Sequence, residues 1–198
     1  MKKLLAILIV FIVAQNGFGQ EKINLISLQK VDKNGKLKET NMAVIYGNFS
    51  RRKIKLSNYF NQWIVVRNKS TNMYFKLLVM PDTKGAQENM FSFYIPKGEY
   101  EIITYIYGTN KSAVHGNTYN QNYEPVFNRN LTPNNPVSTD EIVKYNFKID
   151  DNSIYYVGNW DFSTEEVKFI DDKNNFDIEF LIKYKSLKNK KTLSVIPK

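Results

Sequence analysis

Short runs of alternating apolar and polar residues dominate the chain, each closed by a cluster of turn-forming residues. The clearest lies between Met90 and Tyr107. Phe91, Phe93 and Ile95 alternate with Met90, Ser92 and Tyr94. After Pro96-Lys97-Gly98, Tyr100, Ile102, Thr104 and Ile106 oppose Glu101, Ile103, Tyr105 and Tyr107. A period of two marks a strand with different environments on its two faces. The stretch therefore predicts two strands joined as the central hairpin of an all-β domain. Glu99 and Glu101 mark a solvated end beside the turn, and the far end is apolar on both faces, as inside a sandwich.

Similar patterns flank this stretch. Ile23–Val31 reads as a first strand, ended by the Asn34-Gly35 turn signal. Met42–Tyr46 is a short apolar run, and Ile54 and Leu56 alternate with Lys53 and Lys55. Trp63–Arg67 and Met73–Met80 are separated by the polar turn Asn68–Asn72, with Met73, Phe75, Leu77 and Val79 on one face. Later, Val143, Tyr145, Phe147 and Ile149 alternate with lysine and asparagine, and Asp150–Ser153 turns the chain into Ile154–Phe162. There Ile154, Tyr156 and Trp160 fall on one side, with Gly158 as a bulge or close backbone approach. Val167 and Phe169 end the strands. Residues 177–187 allow two readings, a strand with Phe176, Ile178, Phe180 and Ile182 alternating, or a short helix capped by Asn175 or Asp177. The helix is preferred.

Two stretches break the pattern. Residues 109–140 are rich in Asn, Pro, Thr and Gly and predict a long irregular loop, a feature usually functional or disordered. Tyr119, Tyr123 and Phe127 recur in it every four residues, as contacts for a ligand or as pins that hold the loop to the sandwich. The N-terminus has Lys2 and Lys3, then the apolar run Leu4–Ala14, then Gly17-Phe18-Gly19. That is the layout of a signal peptide at 1–19, and the run is too short to span a bilayer, which takes about 20 residues. The mature chain is expected to be one β-sandwich domain, residues 20–198, without a transmembrane helix, exported to the periplasm or outer surface of a bacterial envelope.

Composition supports this. Thirteen Tyr and thirteen Phe favour strands. There is no cysteine, hence no disulfide, thiolate metal site or lipid-anchored cysteine. The net charge is +9, and after Glu179 every charged residue is a lysine. Arg51, Arg52 and Lys53, and Lys188, Lys190 and Lys191, are solubilising charge or contacts for an anionic surface such as lipid headgroups or polysaccharide. Nucleic acid is not expected as a partner of an exported chain.

The inventory for catalysis is poor. His115 is the single histidine, which excludes two-histidine zinc motifs, and no G-x-S-x-G elbow surrounds it. The carboxylate pairs Asp150/Asp151, Glu165/Glu166 and Asp171/Asp172 sit at predicted turns, and neighbouring residues of a strand point to opposite faces. Asp171–Asp177 imitates the start of a calcium loop, but Ile182 stands where an EF-hand has its glutamate, leaving at most a weak surface site. No catalytic, cofactor-binding or metal residue is assigned.

Ile95-Pro96-Lys97-Gly98-Glu99-Tyr100-Glu101-Ile102 resembles the P-x-G-x-Y hairpin of bacterial carboxypeptidase-regulatory-like and transthyretin-like modules. Asn146–Gly158 resembles a strand, turn and Tyr-Tyr-x-Gly segment of uncharacterised exported bacterial proteins. The resemblance is best over Met90–Phe162 and implies an immunoglobulin/prealbumin-like sandwich. It brings no catalytic residue, because these modules have no family-wide activity. The expectation is a non-enzymatic binding or structural module of the envelope, whose partner is a protein, a glycan or an anionic lipid surface. The alternative is a hydrolase acting on envelope glycans or peptides through carboxylates that folding brings together.

Overall fold

The computed structural model describes residues 24–32, 34, 42–51, 61–80, 88–113, 116–126, 144–164 and 166–198. Among them the chain forms eleven strands: β1 (Leu25–Ser27), β2 (Met42–Ser50), β3 (Gln62–Asn68), β4 (Tyr74–Met80), β5 (Glu88–Pro96), β6 (Gly98–Ala113), β7 (Gly116–Pro125), β8 (Asn146–Ile149), β9 (Ile154–Asp161), β10 (Lys168–Ile170) and β11 (Thr192–Ser194). One helix, α1 (Lys173–Lys183), and a 3-10 turn at Lys185–Leu187 precede β11. The leader at 1–19, the strand expected at 53–56, His115 and Phe127 lie outside the described residues.

The strands build two mixed sheets, and with the short C-terminal helix they make a mainly β, sandwich-like fold. One sheet runs β1-β4-β3-β6, and the far edge of the long β6 takes β8 near its start and β7 further along. The other runs β5-β2-β9, and the far edge of β9 takes β11 and then β10. Between them lies a core rich in aromatic rings. Phe49, Phe91, Phe93 and Trp160 from one sheet meet Phe75, Tyr100, Tyr105 and Phe147 from the other, all buried. Burying each such side chain contributes roughly 1.5–3 kcal/mol, so this layer holds the sheets together.

The stretch Met90–Tyr107 is two strands, but not a hairpin. β5 pairs with β2, whereas β6 pairs with β3, β7 and β8. Pro96-Lys97-Gly98 therefore carries the chain from one sheet to the other. The alternation in β5 is as read: Phe91, Phe93 and Ile95 enter the core, and Tyr94 faces the opposite way. In β6 it holds through Tyr100 and Ile102 and then reverses. Val66 pairs with Ile102 but Val65 pairs with Thr104, leaving Ile103 as an extra residue. After this bulge Tyr105, not Thr104, enters the core.

The same device acts in β9. The expected irregularity at Gly158 is present: its φ is 101°, and the register slips as Tyr46 and Asn48 pair with Tyr156 and Asn159. Its consequence corrects the facing of Trp160. Ile154 and Tyr156 face outward, while Trp160 lies in the inter-sheet core with Tyr155 and Val157.

Two further expectations change. The stretch from 109 was expected to be irregular, yet β6 continues to Ala113 and β7 pairs with it throughout, so strand persists to Pro125. A backbone ladder at a sheet edge does not need apolar alternation, which is why Asn-rich residues conceal it. Residues 127–143 lie outside the described set. At 177–187 the helical reading holds, but the helix starts at Lys173 with Asp172 as its N-cap, and Asp177 lies within it.

Candidate functional site

The helix packs on the outer face of the β5-β2-β9 sheet. Phe176, Phe180 and Tyr184, spaced by four, share one face of a helix. They meet Tyr46, Tyr94, Ile154 and Tyr156. The Phe180 ring stacks on Tyr46 at 4.0 Å between centroids, and the Ser92 hydroxyl donates a hydrogen bond to the Tyr184 hydroxyl oxygen at 2.6 Å. This phase leaves Ile178 and Ile182 on the opposite ridge, 65% and 67% exposed.

Asp177 anchors the helix beside this contact. Its carboxylate accepts the Tyr46 hydroxyl and the Thr192 hydroxyl, the latter at 2.7 Å, and forms an ion pair with Lys173 at 2.5 Å. Burial alone would raise its pKa, but the hydrogen bonds from Lys173, Tyr46 and Thr192 outweigh that and hold it below the ordinary carboxylate value. Burial, followed by the bond to Asp177, pushes the Tyr46 phenol up. Tyr156, buried beneath the helix start, is pushed up to about 12.

A second cluster lies on the other sheet. Glu101 was read as solvated, yet it is only 2% exposed. Arg67 donates to one carboxylate oxygen at 2.5 Å, and Lys144 approaches the other at 2.8 Å. Burial pushes the Glu101 pKa up, but the hydrogen bonds from Lys144 and Arg67 prevail and lower it. The β3–β6 register sets this contact, because Arg67 stands directly opposite Glu101. Next along the strand, Lys69 pairs with Glu99 at 2.5 Å on the surface.

The remaining carboxylates mostly shape turns. Asp151 accepts from the Ser153 amide and the Tyr155 hydroxyl, each at 2.8 Å, which lowers its pKa. Asp171, Asp172, Lys173 and Asn174 line a surface recess of about 290 Å³ at the helix start. Ser194 donates to Asp171 at 3.1 Å, and Asn175 to Asp172 at 2.6 Å. The chain is helical from Lys173 onward, so 171–177 does not follow a calcium-loop path. Among the described residues no three His, Cys, Asp or Glu side chains are grouped to hold a metal ion.

The residues singled out from the sequence fall in three places. Tyr119 and Tyr123 lie on β7, opposite Asn110 and Ile106 of β6. Arg51 follows β2 and is half-buried, while Arg52 and Lys53 lie outside the described residues. Lys188, Lys190 and Lys191 are exposed together between the 3-10 turn and β11. The Arg67–Glu101–Lys144 and Tyr46–Asp177–Lys173 clusters escaped sequence reading, since Arg67 and Glu101 are 34 residues apart and Tyr46 and Asp177 are 131 apart. Lys30 joins the basic end: partial burial, and then the charge of Lys183, lower its pKa.

The chain matches no protein-family model and no curated protein. Among solved structures, a leucine-rich repeat protein from Bacteroides thetaiotaomicron VPI-5482 is similar with a TM-score of 0.34 and 14% identity, over 65% of this chain and 15% of that one. A likeness this slight carries no argument about fold or function. Among the described residues no helix is long and apolar enough to cross a membrane.

Proposed function

We propose that the chain is exported to a bacterial envelope and acts there as a non-enzymatic binding or structural module. The observation that supports the non-catalytic half is the state of two shielded carboxylates among the described residues. Glu101 and Asp177 are clamped by cations and hydroxyls and held below their ordinary pKa. A general acid needs the opposite shift, toward neutral pH. Export is supported by the charged, apolar and small-residue order of residues 1–19.

Both halves are testable on a chain expressed from the whole sequence with a C-terminal tag. Fractionation and mass analysis should find it in the envelope, beginning near Gln20. A full-length chain retained in the cytoplasm would overturn export. Incubation with purified envelope glycan and peptide should release no soluble fragments, and release that is lost in a carboxylate variant would establish the hydrolase instead.

A further inference from the structure

We propose that the outer ridge of α1 and the lysine-rich segment after it form a docking surface for an anionic lipid bilayer, which gives the envelope-binding reading a partner. The ridge exists because of how the helix is phased. Phe176 and Phe180 turn to the sheet, so Ile178 and Ile182, at i and i+4, project together into solvent. Asn174, Asn175 and Glu179, all exposed, flank them. From the last residue of the helix onward the charge has one sign: Lys183, Lys185, Lys188, Lys190 and Lys191 are all exposed, with no acid after Glu179.

This combination selects the partner. Clustered lysines attract any polyanion, but two exposed isoleucines gain nothing from a hydrated polysaccharide. At an anionic bilayer they can enter the headgroup and acyl boundary while lysines stay among the phosphates. Lys30, exposed, extends the basic area, because the adjacent Val31 packs in the same cluster as Phe180, Tyr184 and Leu187. Glu179 and the Asp177–Lys173 pair are the opposing and neutral members of the same helix.

The test is flotation of the chain expressed from the whole sequence with vesicles of phosphatidylcholine, alone or with about one-third phosphatidylglycerol. Binding should require the anionic lipid and weaken as salt shortens the screening length from about 30 Å to about 8 Å. The triple variant Lys188→Gln/Lys190→Gln/Lys191→Gln should lose about a hundredfold in partitioning, at about fivefold per lysine. Ile178→Ser/Ile182→Ser should lose about tenfold at unchanged unfolding midpoint. Ile182→Trp should bind at least as well and show blue-shifted emission on anionic vesicles. Equal binding to neutral vesicles, indifference to either set of substitutions, or an unshifted tryptophan would overturn the proposal. So would equal, isoleucine-independent binding to a soluble anionic polysaccharide. Failed flotation by a correctly processed envelope chain refutes this surface and leaves export standing. Flotation by a chain found unprocessed in the cytoplasm refutes export alone.

Discussion

Replacing Glu101 with Gln tests whether the buried carboxylate is a structural clamp. Gln keeps the shape and one acceptor but removes the charge and faces an amide toward cationic donors. Breaking a fully buried ion pair by removing one partner costs about 3–5 kcal/mol, because the other charge is stranded. Here the stranded cations are Arg67 and Lys144, whose side chains are 32% and 55% exposed, so water can recover part of their solvation. Exposed pairs contribute about 0–1 kcal/mol. A loss of about 2 kcal/mol lies between these limits, and it should lower the unfolding midpoint by about 4–8 °C for a domain of this size.

The pH dependence separates a clamp from a mere packing role. The folded state holds the Glu101 pKa below its ordinary value of 4.5, so folding favours the ionised form. That contribution is complete above the unfolded-state value and is lost progressively as pH falls below about 4.5 toward the folded-state value. Gln does not titrate. Urea unfolding of both proteins should therefore show the full difference at pH 7 and a narrowing difference below about pH 4.5. A difference that is constant across this range, or zero at pH 7, refutes the clamp.

Three further perturbations probe the scaffold. Gly98→Ala should destabilise by about 2–4 kcal/mol in urea unfolding, since its φ is 148° and a Cβ would lie 2.3 Å from Asn68 Nδ2. Asn68 cannot yield freely, because its Oδ1 accepts the Ser70 and Thr71 amides at 3.1 Å. Phe180→Ala should cost about 3–5 kcal/mol by emptying the contact with Tyr46 and Tyr184; an effect under about 1 kcal/mol would mean the helix is not docked through this ring. Removal of residues 192–198 should speed hydrogen exchange of β9 amides more than those of β3, since β11 pairs with β9. Uniform exchange in both would refute that.

How far the fold was legible follows from where periodicity survives. Phe91, Phe93 and Ile95 keep one phase through an unbroken register, so the pattern gives their facing correctly. Trp160 and Tyr105 lie beyond one-residue slips, and a slip of one moves every later side chain to the other face. Gly158 signalled its slip, whereas Ile103 looked like any strand residue. The strand partners of Pro96 and Gly98 were misread because a turn motif fixes the local bend but not which sheet each arm joins. The two polar clusters were hidden for a related reason. Arg67 and Glu101 are 34 residues apart, and only the β3–β6 register brings them together.

The last segment of the chain shows why the basic surface is held in place rather than trailing. The residues after β1 and those after α1 each bridge the two sheets. At one side, Leu28 donates to Lys76 of β4 at 3.1 Å, while Val31 donates to Ser92 of β5 at 3.2 Å. At the other, β11 pairs with β9, and Lys198 exchanges two backbone hydrogen bonds with Asn146 at 2.8 and 3.0 Å. Each strap covers strand edges that would otherwise offer unpaired amides and carbonyls. The C-terminal strap has a second effect. It fixes the chain just after Lys191, while Phe180, Tyr184 and Leu187 fix it just before Lys188. The lysines thus occupy a short span tied at both ends, and ordering them at a surface forfeits less backbone entropy than ordering a free tail would.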